Sequence, residues 1–519
     1  MDKNKTTGNI IKRLFFIGMK FRTWFILALI ISIVLALVSV YRPILTQQIV
    51  DIDIVKLKDR SLLIKHTYIL FALVVAETVL NFFLVFLSNY IAQNVIRDIR
   101  ERLYHKLIYF KTSFFDKTAI GNLVTRAVGD VETIATVYTD GFLMVFGDIL
   151  KVVFVLVAMF KVNIELSYIS LSILPIMLVI TRFFQKKLKK AFGDERAWTS
   201  TQNSFVQERL SGMSLIQVFN RQNAEYKKFD EINISLRGAL LKTVFYFSLF
   251  FPVVELISSV FIGLILFVAG YSALTARDIS PGQVIAFISY INMLIRPLRQ
   301  IADRFNNIQR GLVGAERVLG VMDEDNAMPN AGTIKKDHIE GKIEFKDVRF
   351  SYDEKQEVLK GVDFKVRPGE TVAIVGATGA GKSTIIQLIT RFYDINSGKI
   401  LLDDVDLRDY DLFDLRSKVG VVLQDVFLFH GSIYENLTLG ENIPLERIKK
   451  VAQEIEVDEF IEKLPGGYDF VVSERGSSIS LGQRQLLSFL RAYLSDPKIL
   501  ILEDRKSTRL NSSHLVLSR

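Results

Sequence analysis

The chain has 519 residues, too many for one ordinary hydrophobic core, so at least two domains are expected. Half of the residues are apolar and the mean hydropathy is +0.29, with the apolar material concentrated in the first three-fifths of the chain. The lack of cysteine excludes disulfides, thiolate metal sites and a cysteine nucleophile, and the net charge of +9 is assigned to cytoplasmic flanks of membrane spans, with no nucleic-acid partner expected.

Residues 24–41 carry no charge, enough for about 27 Å of helix at about 1.5 Å per residue, close to the hydrocarbon thickness of a bilayer. Before them stand Lys3, Lys5, Lys12, Arg13, Lys20 and Arg22 against the single acid Asp2, which puts the N-terminus in the cytosol. Residues 10–19 mix apolar side chains with Lys12 and Arg13, a pattern for a helix lying on the membrane surface or extending the first span. Spans are expected at about 24–45, 66–92, 140–160, 163–183, 244–272 and 281–300, within a transmembrane domain of residues 1–320. An even number returns the chain to the cytosol.

The gaps 97–136 and 182–242 are long, charged and helix-favouring, so they are expected to project into the cytosol as stalks. Glu77, Asp148, Lys151 and Glu255 fall inside spans, where each is costly in lipid and should face the bundle or a wet cavity. Asp148 and Lys151, three apart on one helix, either neutralise each other or line a substrate path. The aromatic run Phe245, Tyr246, Phe247, Phe250 and Phe251 is expected to face lipid.

After a linker at 321–338 the pattern changes to short apolar strands at 343–345, 362–366 and 371–375. The last leads into Gly376, Ala377, Thr378, Gly379, Ala380, Gly381, Lys382 and Ser383, a complete GxxxxGKS loop followed by a helical run from Thr384. Glycines at that spacing let backbone N–H groups converge on phosphate oxygens, and the following helix aims its positive end at the same anion. Lys382 is expected to reach the β and γ phosphates of ATP, and the Ser383 hydroxyl to ligate Mg²⁺.

A phosphate loop alone leaves kinases, helicases, GTPases and transport motors open. The run from Gly476 through Ser480, Leu481, Gly482 and Gln483 to Gln485 resembles the signature motif of the ATP-binding cassette family, with Ile479 and Leu481 in place of the commonest Leu and first Gly. Gln424 resembles that family's Q-loop glutamine, Tyr352 its adenine-stacking aromatic, and Glu474 with Arg475 its loop that touches membrane helices. Singly these are weak, since Tyr352 reads as a strand aromatic, Gln424 as a turn residue and Ser480 as a helix N-cap. In this order, behind six spans, they resemble a bacterial multidrug-type half-transporter.

The resemblance implies an N-terminal all-α six-helix transmembrane domain plus a C-terminal α/β P-loop nucleotide-binding domain, the latter at residues 339–502. It implies ATP-dependent efflux of hydrophobic or amphipathic compounds across the cytoplasmic membrane, with a second half-transporter, the bilayer and a small amphipathic substrate as partners. Lipid or peptide export, and a catalytically degenerate half of a heterodimer, remain as alternatives. The nucleotide would be held by Tyr352 and residues 376–384, Mg²⁺ by Ser383 and Gln424, and the partner's nucleotide by Ser480, Leu481, Gly482 and Gln483. Short coupling helices are expected near 113–121 and 220–229, the latter reading equally as plain stalk.

The expected catalytic carboxylates fall at Glu503 and Asp504, in reversed order for the family. Asp504 to His514 reads as an in-frame translation of sequencing-adapter DNA, in which case Glu503 stands where an original Asp is expected. Residues 503–519 are accordingly expected to be a non-native tail, the cassette to be incomplete, and the catalytic residue is left unassigned.

Overall fold

Lipid cannot hydrogen-bond a backbone, so the apolar part of the chain satisfies its own N–H and C=O groups along helices. The computed structural model describes residues 3–274, 279–328, 330–353, 356–377, 379–473, 476, 478–503 and 515–517. It divides into Met1–His105 with Leu123–Glu324, and Lys106–Asn122 with Asp325–Arg519. Residues 106–122, expected within the first domain, thus group with the second unit.

In the first unit, five helical stretches among the described residues are long and apolar enough to cross a membrane: Gly8–Leu57, Arg60–Ile108, Ile120–Val162, Ile164–Ser211 and Gln222–Ser272. A sixth long helix, Pro281–Asp323, starts with a capping box in which Ser280 and Gln283 satisfy each other's backbone N–H, and continues well past the expected end near residue 300. Asp51, near the end of the first helical stretch, accepts from Gly282 N at 2.8 Å and from the Ser280 hydroxyl at 2.5 Å, tying that start in place. Phe287, Tyr290 and Ile291 are fully buried in the bundle core, whereas Phe71 and Phe82 on the second span are exposed, as side chains facing acyl chains should be.

The N-terminal helix Lys3–Gly18 packs on this bundle through fully buried Leu14, whose carbonyl accepts the Tyr138 hydroxyl at 2.6 Å. Phe250 of the aromatic run is buried edge-on against Phe184, while Phe245, Phe247 and Phe251 are exposed.

Of the charged residues, Asp148 forms its close ion pair with Arg304 of the sixth helix, while Lys151 lies within electrostatic reach and lines the same cavity. One expectation is corrected. Glu255 lies on an exposed face of Gln222–Leu274 and does not line the bundle interior. Residues 222–229 take the stalk alternative. Gly212 and Asn220, the latter at φ 51°, bracket a short helix Met213–Val218, while Gln222 to Phe229 form the opening turns of the long helix.

In the second unit the strands are β1 Ile343–Phe350, β2 Leu359–Val366, β3 Val372–Ala373, β4 Ser397–Leu402, β5 Val405–Asp406, β6 Val419–Val422, β7 Gly431–Ser432, β8 Val471–Val472, β9 Ile499–Glu503 and β10 Leu515–Leu517. They form an antiparallel sheet β2-β1-β4-β5, a mixed sheet β3-β10-β9-β6 and the pair β7-β8. β6 and β9 run parallel with Val422 opposite Leu502, so the chain leaves both strands at one edge. β10, inside the segment expected to be non-native, runs antiparallel between β3 and β9, and residues 504–514 and 518–519 lie outside the described ones.

Helix Lys382–Ile389 buries Ile385, Ile386, Leu388 and Ile389 in one core with Phe345, Tyr410, Leu415 and Ile501. A separate core unites the helical segment: Leu428, Ile433, Leu437, Ile448 and Val472 against Leu487 and Leu490 of helix Leu481–Leu494. The phosphate loop and the signature therefore sit on different hydrophobic centres. Residues 106–122 belong to this unit through Lys111 N to Asn326 O at 2.8 Å and Met328 N to Tyr109 O at 3.2 Å, with the short helix Thr112–Lys117 between their ends.

Phe345, 2% exposed, stacks on half-buried Phe364 across β1 and β2 with ring centroids 4.4 Å apart. Phe345→Ala is expected to destabilise this sheet by about 3–5 kcal/mol, and Phe364→Ala by clearly less. Hydrogen exchange of the β1 amides in the intact protein checks the order of the two effects.

Candidate nucleotide-binding site

β3 ends at Ala373, and the loop to Lys382 turns through Gly379 at φ 84° and Gly381 at φ 89°, the left-handed region that a Cβ disfavours. A side chain on Gly381 would also place its Cβ 2.6 Å from Leu359 Cδ2. Ala380 N closes the turn on Ala377 O at 3.2 Å, and Thr378 lies outside the described residues. Helix Lys382–Ile389 then starts from Gly381 with no side-chain cap, so its first-turn N–H groups are donors that an anion would satisfy.

Lys382 is folded onto this loop. Its ammonium donates to Gly376 O at 2.7 Å and Ala377 O at 2.9 Å, two carbonyls that a phosphate oxygen would outcompete by charge. Next to it the Ser383 hydroxyl donates to the Glu503 carboxylate at the end of β9, and the other oxygen of that carboxylate accepts from Gln424 N at 3.5 Å. The parallel pairing of β6 with β9 produces this convergence, which brings Ser383, Gln424 and Glu503 to one edge. The hydroxyl and carboxylate oxygens suit Mg²⁺ and not a soft metal, while Gln424 joins this edge through its backbone N–H. Among the described residues no group of three or more His, Cys, Asp and Glu offers a rival metal site.

Tyr352 is 41% exposed, and its hydroxyl donates to Gln387 Oε1 at 2.5 Å and meets the buried Thr384 hydroxyl at 3.0 Å. It stands edge-on to Phe350 and Tyr393 at centroid distances of 4.9 and 5.1 Å. Burial pushes its phenol above the ordinary value, against the opposing hydrogen bond from Thr384, so it is neutral at physiological pH. Tyr393, which sequence reading missed, donates in turn to Asp116 of helix Thr112–Lys117, and burial followed by that carboxylate raises its phenol pKa. No sequence signal marks a pair 277 positions apart.

At the signature, Gly476 sits at φ 72° and Ile479 is buried. Ser480 caps helix Leu481–Leu494: its Oγ accepts from Gln483 N at 3.2 Å, while Gln483 Oε1 accepts from Ser480 N at 2.9 Å. Leu481 is half-buried and a side chain on Gly482 would meet open space. Glu474, Arg475 and Asp504 lie outside the described residues. Among the described residues no hydrogen bond joins residues 480–483 to the phosphate loop.

Residues 25–298 match the model of the ABC transporter transmembrane region, and residues 359–505 the ABC transporter model. An ABC transporter ATP-binding protein of Streptococcus pneumoniae is 33% identical across 97% of this chain and 86% of its own length. A Bacillus subtilis protein whose name assigns it to multidrug export is 31% identical over 86% of this chain and 78% of its own length. An ATP-dependent lipid A-core flippase of Pseudoalteromonas translucida is 33% identical over 85% and 76%.

The turn at Gly381 sets an expected cost. Gly381→Ala places a Cβ in the left-handed region, about 1–2 kcal/mol of strain that a bound loop cannot relax, or roughly 5- to 30-fold weaker MgATP binding. Equilibrium titration with a fluorescent ATP analogue measures it.

Proposed function

The chain belongs to the ABC transporter family as a multi-pass ATP-binding/permease half-transporter, and we propose that, paired with a second such chain, it exports hydrophobic or amphipathic compounds across the cytoplasmic membrane. The observation that supports this most is one chain holding both apolar spans and a phosphate loop whose signature lies on another core. Such a site is completed by a second copy or a close relative. The N-terminus and the nucleotide unit are assigned to the cytosol.

Each residue then has a task. Gly379, Gly381 and the first turn after them receive phosphate oxygens. Lys382 leaves the Gly376 and Ala377 carbonyls for the β and γ phosphates. Ser383, Glu503 and Gln424 would hold Mg²⁺, which would supply positive charge against the phosphates. Tyr352 offers its exposed ring to adenine. Ser480, Leu481, Gly482 and Gln483 present the N-terminus of helix Leu481–Leu494 to the nucleotide held by the other chain.

A nucleotide shared in this way binds the closed pair more tightly than the open one, and hydrolysis removes the difference. The link back to the permease runs through Asp116, which grips Tyr393 beside the adenine-facing Tyr352 and belongs to the loop between the second and third spans. Asp116 is a positioning residue here.

The reading is tested in inside-out vesicles with a fluorescent amphiphile. MgATP-dependent accumulation is expected, and Lys382→Ala is expected to reduce it by at least about tenfold. Accumulation that persists without ATP, or is untouched by Lys382→Ala, contradicts it.

A further inference from the structure

A cavity of about 550 Å³ opens within the transmembrane bundle, among the first, second, third and sixth spans. Its ionisable lining is Arg42, Lys151, Arg296 and Arg304 against Glu77 and Asp148, four cations to two anions. Both anions are engaged: Arg42 donates to Glu77 at 3.0 Å, Ser39 Oγ donates to the same carboxylate at 2.7 Å, and Arg304 pairs with Asp148. Lys151 and Arg296 are left with no ion-pair partner among the described residues. Two cations in excess of the carboxylates are costly in a membrane bundle, and such residues mark ligand paths. Beside these charges the wall is apolar, with Leu35, Leu84 and Met144.

Resting on the exporter reading, we propose that this cavity binds an anionic amphiphile, an oxyanion headgroup carried on a hydrocarbon tail. Lys151 and Arg296 take the headgroup, and the apolar wall takes the start of the tail. The two engaged pairs keep Glu77 and Asp148 from repelling it, since each negative charge already faces a guanidinium. A cationic amphiphile meets a lining with two more positive than negative charges and is rejected.

The probes are dodecyl phosphate and dodecyltrimethylammonium, which share a tail and differ in head charge, titrated against the intact protein in nanodiscs of zwitterionic lipid. Dodecyl phosphate is expected to bind at least about tenfold more tightly. Lys151→Gln and Arg296→Gln should each weaken it by about fivefold or more and leave dodecyltrimethylammonium unchanged, while Lys151→Arg retains the preference. MgATP affinity, measured on the same samples, verifies folding of each variant. Lys382→Ala should lose ATP binding yet keep dodecyl phosphate affinity, so failure of headgroup recognition and failure of the ATP-driven reading are seen separately. Equal affinity for the two probes, indifference to both glutamine variants, or displacement of dodecyl phosphate by an equal concentration of inorganic phosphate overturns the proposal.

Discussion

The account depends on an uncapped helix N-terminus meeting an anion. Helix Lys382–Ile389 begins at a glycine in the left-handed region, so no side chain covers its first N–H groups. Its hydrophobic face is fixed in the core with Phe345 and Ile501, so the donors cannot turn away. Partial positive charge of about half a unit at such a terminus, joined by a lysine ammonium, requires negative charge close by. The loop carbonyls of Gly376 and Ala377 supply only dipoles to Lys382. A triphosphate supplies full charge, which makes the loop an energy input and not merely a turn.

What that input can do follows from where the other groups lie. The signature helix is anchored on a separate core and its cap closes on itself through Ser480 and Gln483. Its exposed terminus at Gly482, open to solvent, is a second positive end without an anion. In the proposed pair, one nucleotide between two such ends would provide attraction that disappears when the terminal phosphate leaves. The ring cluster of Phe350, Tyr352 and Tyr393 would carry the same event to Asp116, in residues 106–122 that fold with the nucleotide unit while continuing into the spans.

The parts legible in the sequence are those with a local physical requirement. Eighteen uncharged residues from Trp24 are what a bilayer demands, and the glycine spacing from Gly376 is what a phosphate cradle demands. The parts missed are set by partners far along the chain. Asp148 looked local because Lys151 stands three residues away, yet Arg304 reaches it across the bundle. The short helix at Met213–Val218 depends on breaks at Gly212 and Asn220 that no hydrophobic period announces. β10 has three residues, too few for any alternation, and its place between β3 and β9 is dictated by two open strand edges. Glu503 opens the segment read as a non-native tail, and its contact with Ser383 is one that no local pattern announces.

The central claim is that triphosphate at the loop moves the stalks. The chain has no cysteine, so a single spin label at exposed Ser200, on the helix Ile173–Ser211, reports without background. Distances between labels in the paired transporter, measured by pulsed electron resonance in lipid, are predicted to shorten with MgATP in the Ser200→Cys protein and to stay unchanged when Lys382→Ala is added. Identical distance distributions with and without MgATP would contradict the account.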